Sequence, residues 1–247
     1  MRIRSCLFSL VLFAVFSANA QVANPSVYLK AGIPAVNREW AGSDYVRTLQ
    51  VLSSGAVPLP YYSDREGAEL LNRLTATENL SFHRHRSLPV GARLGDWINL
   101  FQSTNSLMKM YYASSPDGRK QHAEIARLLA FSLYVASEGL NLVDEFLPTV
   151  PRDGQYAGRM AGLRQMKSGL TSVFVGLEGA LTEDNGLTAD DKSVLLDAMA
   201  LTLPRLKTVF TPEYKFELRK KLQADRALFK NANDVARIDS MIHELGS

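Results

Sequence analysis

RKQHAEIARLLAFSLYVASEGLNLVDEFL, residues 119–147, is the stretch that decides the fold of this chain. Its apolar side chains recur every three or four residues, which places them on one face of an α-helix. Pro148 and Pro151 follow, and proline ends a helix because it lacks the amide hydrogen. The stretch predicts one long helix whose buried face carries Ile125, Leu128, Leu129, Ser132, Val135, Ala136 and Leu140.

Similar periodicity continues on both sides of this helix. Turn residues separate the periodic segments, and hardly any segment alternates as a strand does. Residues 78–89 suit a loop or a short irregular element. We therefore predict an all-α, bundle-like single domain of seven or eight helices, at residues 39–52, 63–74, 91–113, 119–147, 155–181, 188–210, 211–229 and 233–245.

Three signals mark helix starts. Ser63 and Glu66 have the spacing of a capping box, in which each side chain satisfies an amide at the first turn. Thr188 precedes two aspartates, and Thr211 precedes Pro212, which is favourable at the first helical position. We expect all three to begin helices.

The N-terminus has the pattern of a secretory signal peptide. Arg2 and Arg4 precede the apolar run 7–16, and Ala18 and Ala20 provide a small-residue cleavage site. Cleavage after Ala20 divides the chain into a signal peptide (1–20), an extended arm (21–37) and a helical domain (38–247). We expect a periplasmic or secreted protein.

Cysteine usage and charge restrict the class of protein further. The only cysteine, Cys6, lies in the predicted signal peptide, and a disulfide-free exported chain favours a bacterial periplasm. Of the 28 Lys and Arg residues, Arg2 and Arg4 leave with the signal, so 26 face 25 acidic residues. This balance argues against general nucleic-acid binding. No later segment reaches the roughly 20 apolar residues of a membrane span, so we expect no transmembrane segment in the mature chain.

His83 and His85 are candidate metal ligands. In an extended segment they would project on one side, and Glu78 or Asp96 would supply a third ligand. The alternative is a solvated loop. The standard helical metal motifs and the local motifs of common hydrolases and nucleotide-binding proteins are missing from the sequence, so we expect no cofactor.

Glu178 is a candidate catalytic residue because it lies within the apolar stretch 170–181. Burial raises the pKa of an isolated carboxyl group, which suits a general acid. The alternative is that Glu178 points outward or pairs with a lysine or arginine.

The predicted helix 155–181 is rich in small residues. Each glycine costs up to about 1 kcal/mol in a helix interior, so their repetition suggests that another helix, a ligand or a partner packs closely against this helix. Either neighbouring helices cross tightly here, or the helix borders a groove for a ligand or partner. The glycines are Gly158, Gly162, Gly169, Gly176 and Gly179.

Lys215, Arg219, Arg226 and Lys230 would form one cationic stripe if the helix after Pro212 continued to about Phe229. Such a stripe suits an anionic partner, either another protein or an anionic component of the envelope. Otherwise it is a solvated face.

Three functions are compatible with the sequence. The first is an exported, soluble, non-enzymatic interaction module, such as an inhibitor, immunity factor or accessory subunit. The second is a cell-envelope hydrolase or metal-dependent enzyme with its site between helices, built on Glu178 or on His83 and His85. The third is a binder of small apolar ligands, for which the glycine-rich helix would make room.

Overall fold

The computed structural model describes residues 26–85, 87–114, 119–182 and 186–246. These ranges consist of helices, turns and connecting segments with no β-strand, and eight of their helices have ten residues or more, which confirms the predicted all-α bundle. The α-helices there are α1 (Val27–Lys30), α2 (Gly42–Ser53), α3 (Arg65–Leu74), α4 (Ser81–Arg84), α5 (Val90–Ser114), α6 (His122–Phe146), α7 (Tyr156–Thr182), α8 (Ala189–Leu206), α9 (Pro212–Asp225) and α10 (Ala232–Gly246). Short 3₁₀ turns lie at Thr77–Leu80, Arg119–Gln121, Leu147–Thr149, Lys207–Val209 and Arg226–Leu228.

Helix α6 is the centre of the bundle. It packs against α5, α7 and α8, and 15 of its residues are buried. Burial extends beyond the predicted face to Phe131, Leu133 and Val143, because neighbouring helices cover α6 on several sides. The stretch that predicts the fold is therefore also the core around which the other helices assemble.

Two of the three predicted helix starts are confirmed. Thr188 and Asp191 form a reciprocal capping box on α8, and Thr211 caps α9 by accepting the Tyr214 amide at 3.1 Å. The third is wrong, because α3 begins one residue later than Ser63 requires. Asp64 is its N-cap and accepts the Gly67 amide at 2.7 Å.

Glu66, which the sequence assigns to that capping box, instead binds the first two described residues, Ser26 and Val27. Its Oε2 accepts the Ser26 hydroxyl at 3.1 Å and the Val27 amide at 3.2 Å. Val27–Lys30 form a one-turn helix in place of an extended arm, and Tyr28 is buried. Residues 1–25, which include the predicted signal peptide, lie outside the described residues.

Two helices end earlier than predicted. Helix α8 runs through Pro204 and ends at Leu206 rather than Phe210, and α9 ends at Asp225 rather than Phe229. A 3₁₀ turn follows each of them. Among the described helices none combines the length and the apolar character needed to cross a membrane.

Candidate functional site

The two histidines proposed as metal ligands lie in different surroundings. His83 is buried in α4, whereas His85 follows the helix and is exposed. The extended arrangement that the metal hypothesis requires is not observed, because residues 81–84 form one helical turn, and a helix does not project residues i and i+2 to one side. In the part of the chain that the structure describes, no three His, Cys, Asp or Glu side chains are grouped to hold a metal ion.

His83 lines a charged cleft of about 800 Å³ beside the C-terminal half of α6. Burial lowers the pKa of His83 to about 4, and the positive charges of Arg84 and Arg93 act in the same direction. The imidazole is therefore neutral at pH 7.

Arg93 is the buried centre of this cleft, with a side chain only 3% exposed. Its guanidinium donates to the His83 carbonyl at 2.8 Å and to the Leu88 carbonyl at 3.3 Å, and it forms an ion pair with Glu145. These contacts join the segment before α5 to the end of α6.

The other carboxylates of the cleft are also held by cations. Glu138 accepts from Arg84 Nε at 3.3 Å. Asp144 lies 2.5 Å from both Lys167 of α7 and Arg205 of α8. Burial alone raises the pKa of Asp144, but hydrogen bonds from these two cations outweigh burial and lower it. The cleft is therefore a network of ion pairs that joins helices of the bundle.

Glu178, the candidate general acid, joins α7 to α9. Its side chain is 12% exposed, and its Oε1 lies 2.6 Å from Nζ of Lys221. Burial, together with the charge of Glu178, raises the pKa of the neighbouring Tyr214. The observed contact is the lysine pairing that the sequence offered as the alternative to a catalytic role.

The prediction of a single cationic stripe is wrong. Lys215 and Arg219 belong to α9, but Arg226 and Lys230 lie beyond the end of that helix. Arg226 contacts both carboxylate oxygens of Asp239 in α10, at 2.7 and 2.8 Å. The backbone becomes extended at Phe229, so Lys230 does not continue the 3.6-residue spacing, and the four cations do not share one helix face.

The outward side of α9 carries a different combination of residues. Leu218 and Leu222 are buried and define the inner side, and Phe216 lies on the opposite side with 65% exposure. Arg219, Lys220 and Gln223 are exposed beside it, and we call these four residues the α9 outer face. Arg219 also lies beside the end of α10, since a Cβ at Gly246 would be 3.2 Å from its Nη1. In the described ranges no carboxylate forms an ion pair with Arg219 or Lys220.

The glycines of α7 do not serve a tight helix crossing at the four positions where their surroundings are described. A Cβ at Gly158, Gly162, Gly169 or Gly176 would meet no atom within 4 Å, so that expectation is wrong there. Gly169 instead borders an apolar pocket of about 320 Å³ between α5 and α7, together with Trp97, Ile98, Phe101, Gln102, Met166 and Leu170.

No family is assigned by comparison. The chain matches no protein-family model, and neither the curated proteins nor the solved structures contain a match.

Phe216 and Lys220 are the functional candidates that the sequence prediction missed. A helical projection contains the signal, because Phe216 falls about 160° from Leu218 on a helix of 3.6 residues per turn. The spacing of charged residues alone does not reveal an aromatic residue that lies between the cations.

Proposed function

We propose that this chain is an exported, non-enzymatic interaction protein of the bacterial envelope that binds an acidic surface of a partner protein through the α9 outer face. The observation that carries the proposal is the 65% exposure of Phe216 between cationic side chains. An inhibitor, an immunity factor and an accessory subunit all act by such binding.

Burying Phe216 against a partner would remove a large apolar side chain from water. Aromatic residues and arginine are enriched where protein interfaces concentrate their binding energy. Arg219 and Lys220 suit an acidic contact, while Glu213 and Glu217 interrupt the positive charge on the same helix. This mixture of positive and negative side chains favours a protein partner over a uniform polyanion, because only a protein surface can offer opposite charges to both.

The interaction hypothesis is favoured over an enzyme because the candidate catalytic carboxylate, Glu178, already forms an ion pair with a lysine. Glu178 pairs with Lys221 across two helices, and His83 and His85 do not share a side of the chain. The contact of Glu178 is therefore the structural pairing that the sequence offered as the alternative to catalysis.

Export is tested by the N-terminus of the protein recovered from the periplasm or medium. Intact-mass analysis should give a chain that begins at Gln21. A full-length chain retained in the cytoplasm would contradict the export part of the proposal.

Binding is tested by affinity capture of tagged chain 21–247 from the envelope fraction, with a matched pair of variants. One variant carries F216A, R219E and K220E. The control carries K109E and R152E, which reverse two exposed cations elsewhere. A stoichiometric protein partner should be retained by the wild type and the control but lost by the first variant. Equal retention by both variants would exclude the α9 outer face.

The apolar pocket beside Gly169 favours a second candidate function, the binding of a small apolar ligand. Its lining is mostly aromatic and aliphatic, and Gln102 provides a polar group for orientation. Gly169→Leu should fill the pocket and prevent binding of an apolar fluorescent dye, whereas Gly176→Leu, at another open position, should not. Equal dye binding by the two variants would contradict a site in this pocket.

A further inference from the structure

A second pocket, of about 430 Å³, lies between α7 and the start of α9. It is separate from the α9 outer face and from the apolar pocket. Two cations and several hydroxyl groups line it, among them Arg164, Lys167, Ser168, Thr211 and Tyr214, and no carboxylate belongs to its lining. Residues 154–177 likewise contain cations and no acidic residue.

The cations retain positive charge that the chain does not neutralise. Arg164 is exposed, and within the described ranges no carboxylate forms an ion pair with it. Lys167 contacts Asp144 at 2.5 Å, but Arg205 contacts the same carboxylate at the same distance. Two cations therefore share one anion, and the group keeps a net positive charge next to the pocket.

Of the hydroxyl groups in the lining, those of Thr171 and Ser172 donate to carbonyls one turn earlier in α7, at 3.2 and 3.3 Å, so Ser168 and Thr211 are the donors that a ligand can use. Thr211 Oγ1 accepts the Tyr214 amide at 3.1 Å, so its own proton remains available to a ligand. The Tyr214 hydroxyl oxygen is shielded from solvent and has no hydrogen-bond partner in the described part of the chain, so a ligand can bond it only if the pocket lining moves. Burial and the nearby charge of Glu178 raise the pKa of Tyr214 further above the value of about 10 at which a tyrosine is already protonated at neutral pH.

We propose that this pocket binds a phosphate group carried on a small polar molecule or on a lipid headgroup. A tetrahedral phosphate accepts several hydrogen bonds at once, and a guanidinium group donates to it in a bidentate manner. The pocket offers one arginine, one lysine and the hydroxyl groups of Ser168 and Thr211, and no carboxylate belongs to its lining.

The test is isothermal titration of chain 21–247 at low ionic strength with two probes, inorganic phosphate and glycerol 3-phosphate. We expect one-to-one binding by the wild type and a loss of affinity of about tenfold or more in Arg164→Gln, because charge-assisted hydrogen bonds are lost. The control Lys109→Gln removes an exposed cation on α5 and should bind as the wild type does.

Tyr214→Phe gives a second readout, because it removes the hydroxyl and keeps the ring that packs edge-to-face on Phe210 at 4.8 Å. It should weaken binding without unfolding the chain, as checked by circular dichroism. Co-sedimentation with phosphatidylglycerol vesicles, against phosphatidylcholine vesicles, distinguishes a lipid source from a free phosphate. Absence of binding to all of these probes up to about 10 mM, or equal loss in Arg164→Gln and Lys109→Gln, would overturn the proposal.

Discussion

The indole ring of Trp97 in α5 occupies the space beside Gly139 in α6. A Cβ at position 139 would lie 2.5 Å from Cε2 of the ring, far inside van der Waals contact. The indole Nε1 donates to the Val135 carbonyl at 2.7 Å, so the ring cannot move away without losing this bond. Gly139 thus permits the close packing of α5 on the central helix.

Gly139→Ala should therefore lower the free energy of unfolding by about 1 to 3 kcal/mol, although alanine is the better helix former. Gly176→Ala is the matched control, because a Cβ there meets no atom within 4 Å. It should stabilise the chain by up to about 1 kcal/mol. Urea unfolding measures both. The account of this contact would be wrong if the two substitutions changed stability in the same direction.

Arg93→Met should be strongly destabilising, by about 2 to 4 kcal/mol. It removes the donors to two carbonyl groups and the ion pair with Glu145 from a side chain that is 3% exposed. Arg65→Met breaks the pair with Glu69 at a side chain that is 92% exposed and should cost less than about 1 kcal/mol. Denaturation midpoints that fall equally in the two variants would contradict the structural role of Arg93.

His83 should make the fold sensitive to mild acid. Its pKa is about 4 in the folded chain, against about 6.5 for a histidine in the unfolded chain. Between these values the unfolded chain binds a proton that the folded chain does not. The contribution of neutral His83 to the free energy of unfolding is therefore complete above pH 6.5 and is lost as the pH falls towards 4.

The measurement is urea unfolding at pH 7 and pH 5. The wild type should lose roughly 2 kcal/mol more than His83→Gln over this interval. His85→Gln, at an exposed histidine, should lose as much as the wild type. A pH dependence that is unchanged in His83→Gln would show that His83 does not titrate as its burial requires.

Periodicity and capping chemistry account for most of the fold. The run 119–147 predicts α6, and Thr188 and Thr211 predict the starts of α8 and α9, because these signals act within one or two helical turns. The capping prediction failed at Ser63, where the aspartate one residue later has the carboxylate that reaches the first turn.

The candidate site depends on contacts between segments that are distant in the sequence. Lys221 neutralises Glu178 from 43 positions away, and Asp239 engages Arg226 from α10. Local sequence spacing does not predict Lys221 or Asp239 as the partner of these residues. The exposure of Phe216 can be predicted from its position opposite Leu218 on the helix. The open surroundings of the α7 glycines cannot be predicted in this way, because they depend on which helices leave α7 uncovered.

The most direct test of the proposed function is titration of the purified captured partner with wild-type chain, Phe216→Ala and Leu201→Ala. Leu201 in α8 is exposed to the same 65% as Phe216 and is therefore the matched control. We predict that Phe216→Ala weakens binding by tenfold or more, about 1.4 kcal/mol, and that Leu201→Ala binds as the wild type does. Unchanged affinity in Phe216→Ala would contradict binding through the α9 outer face.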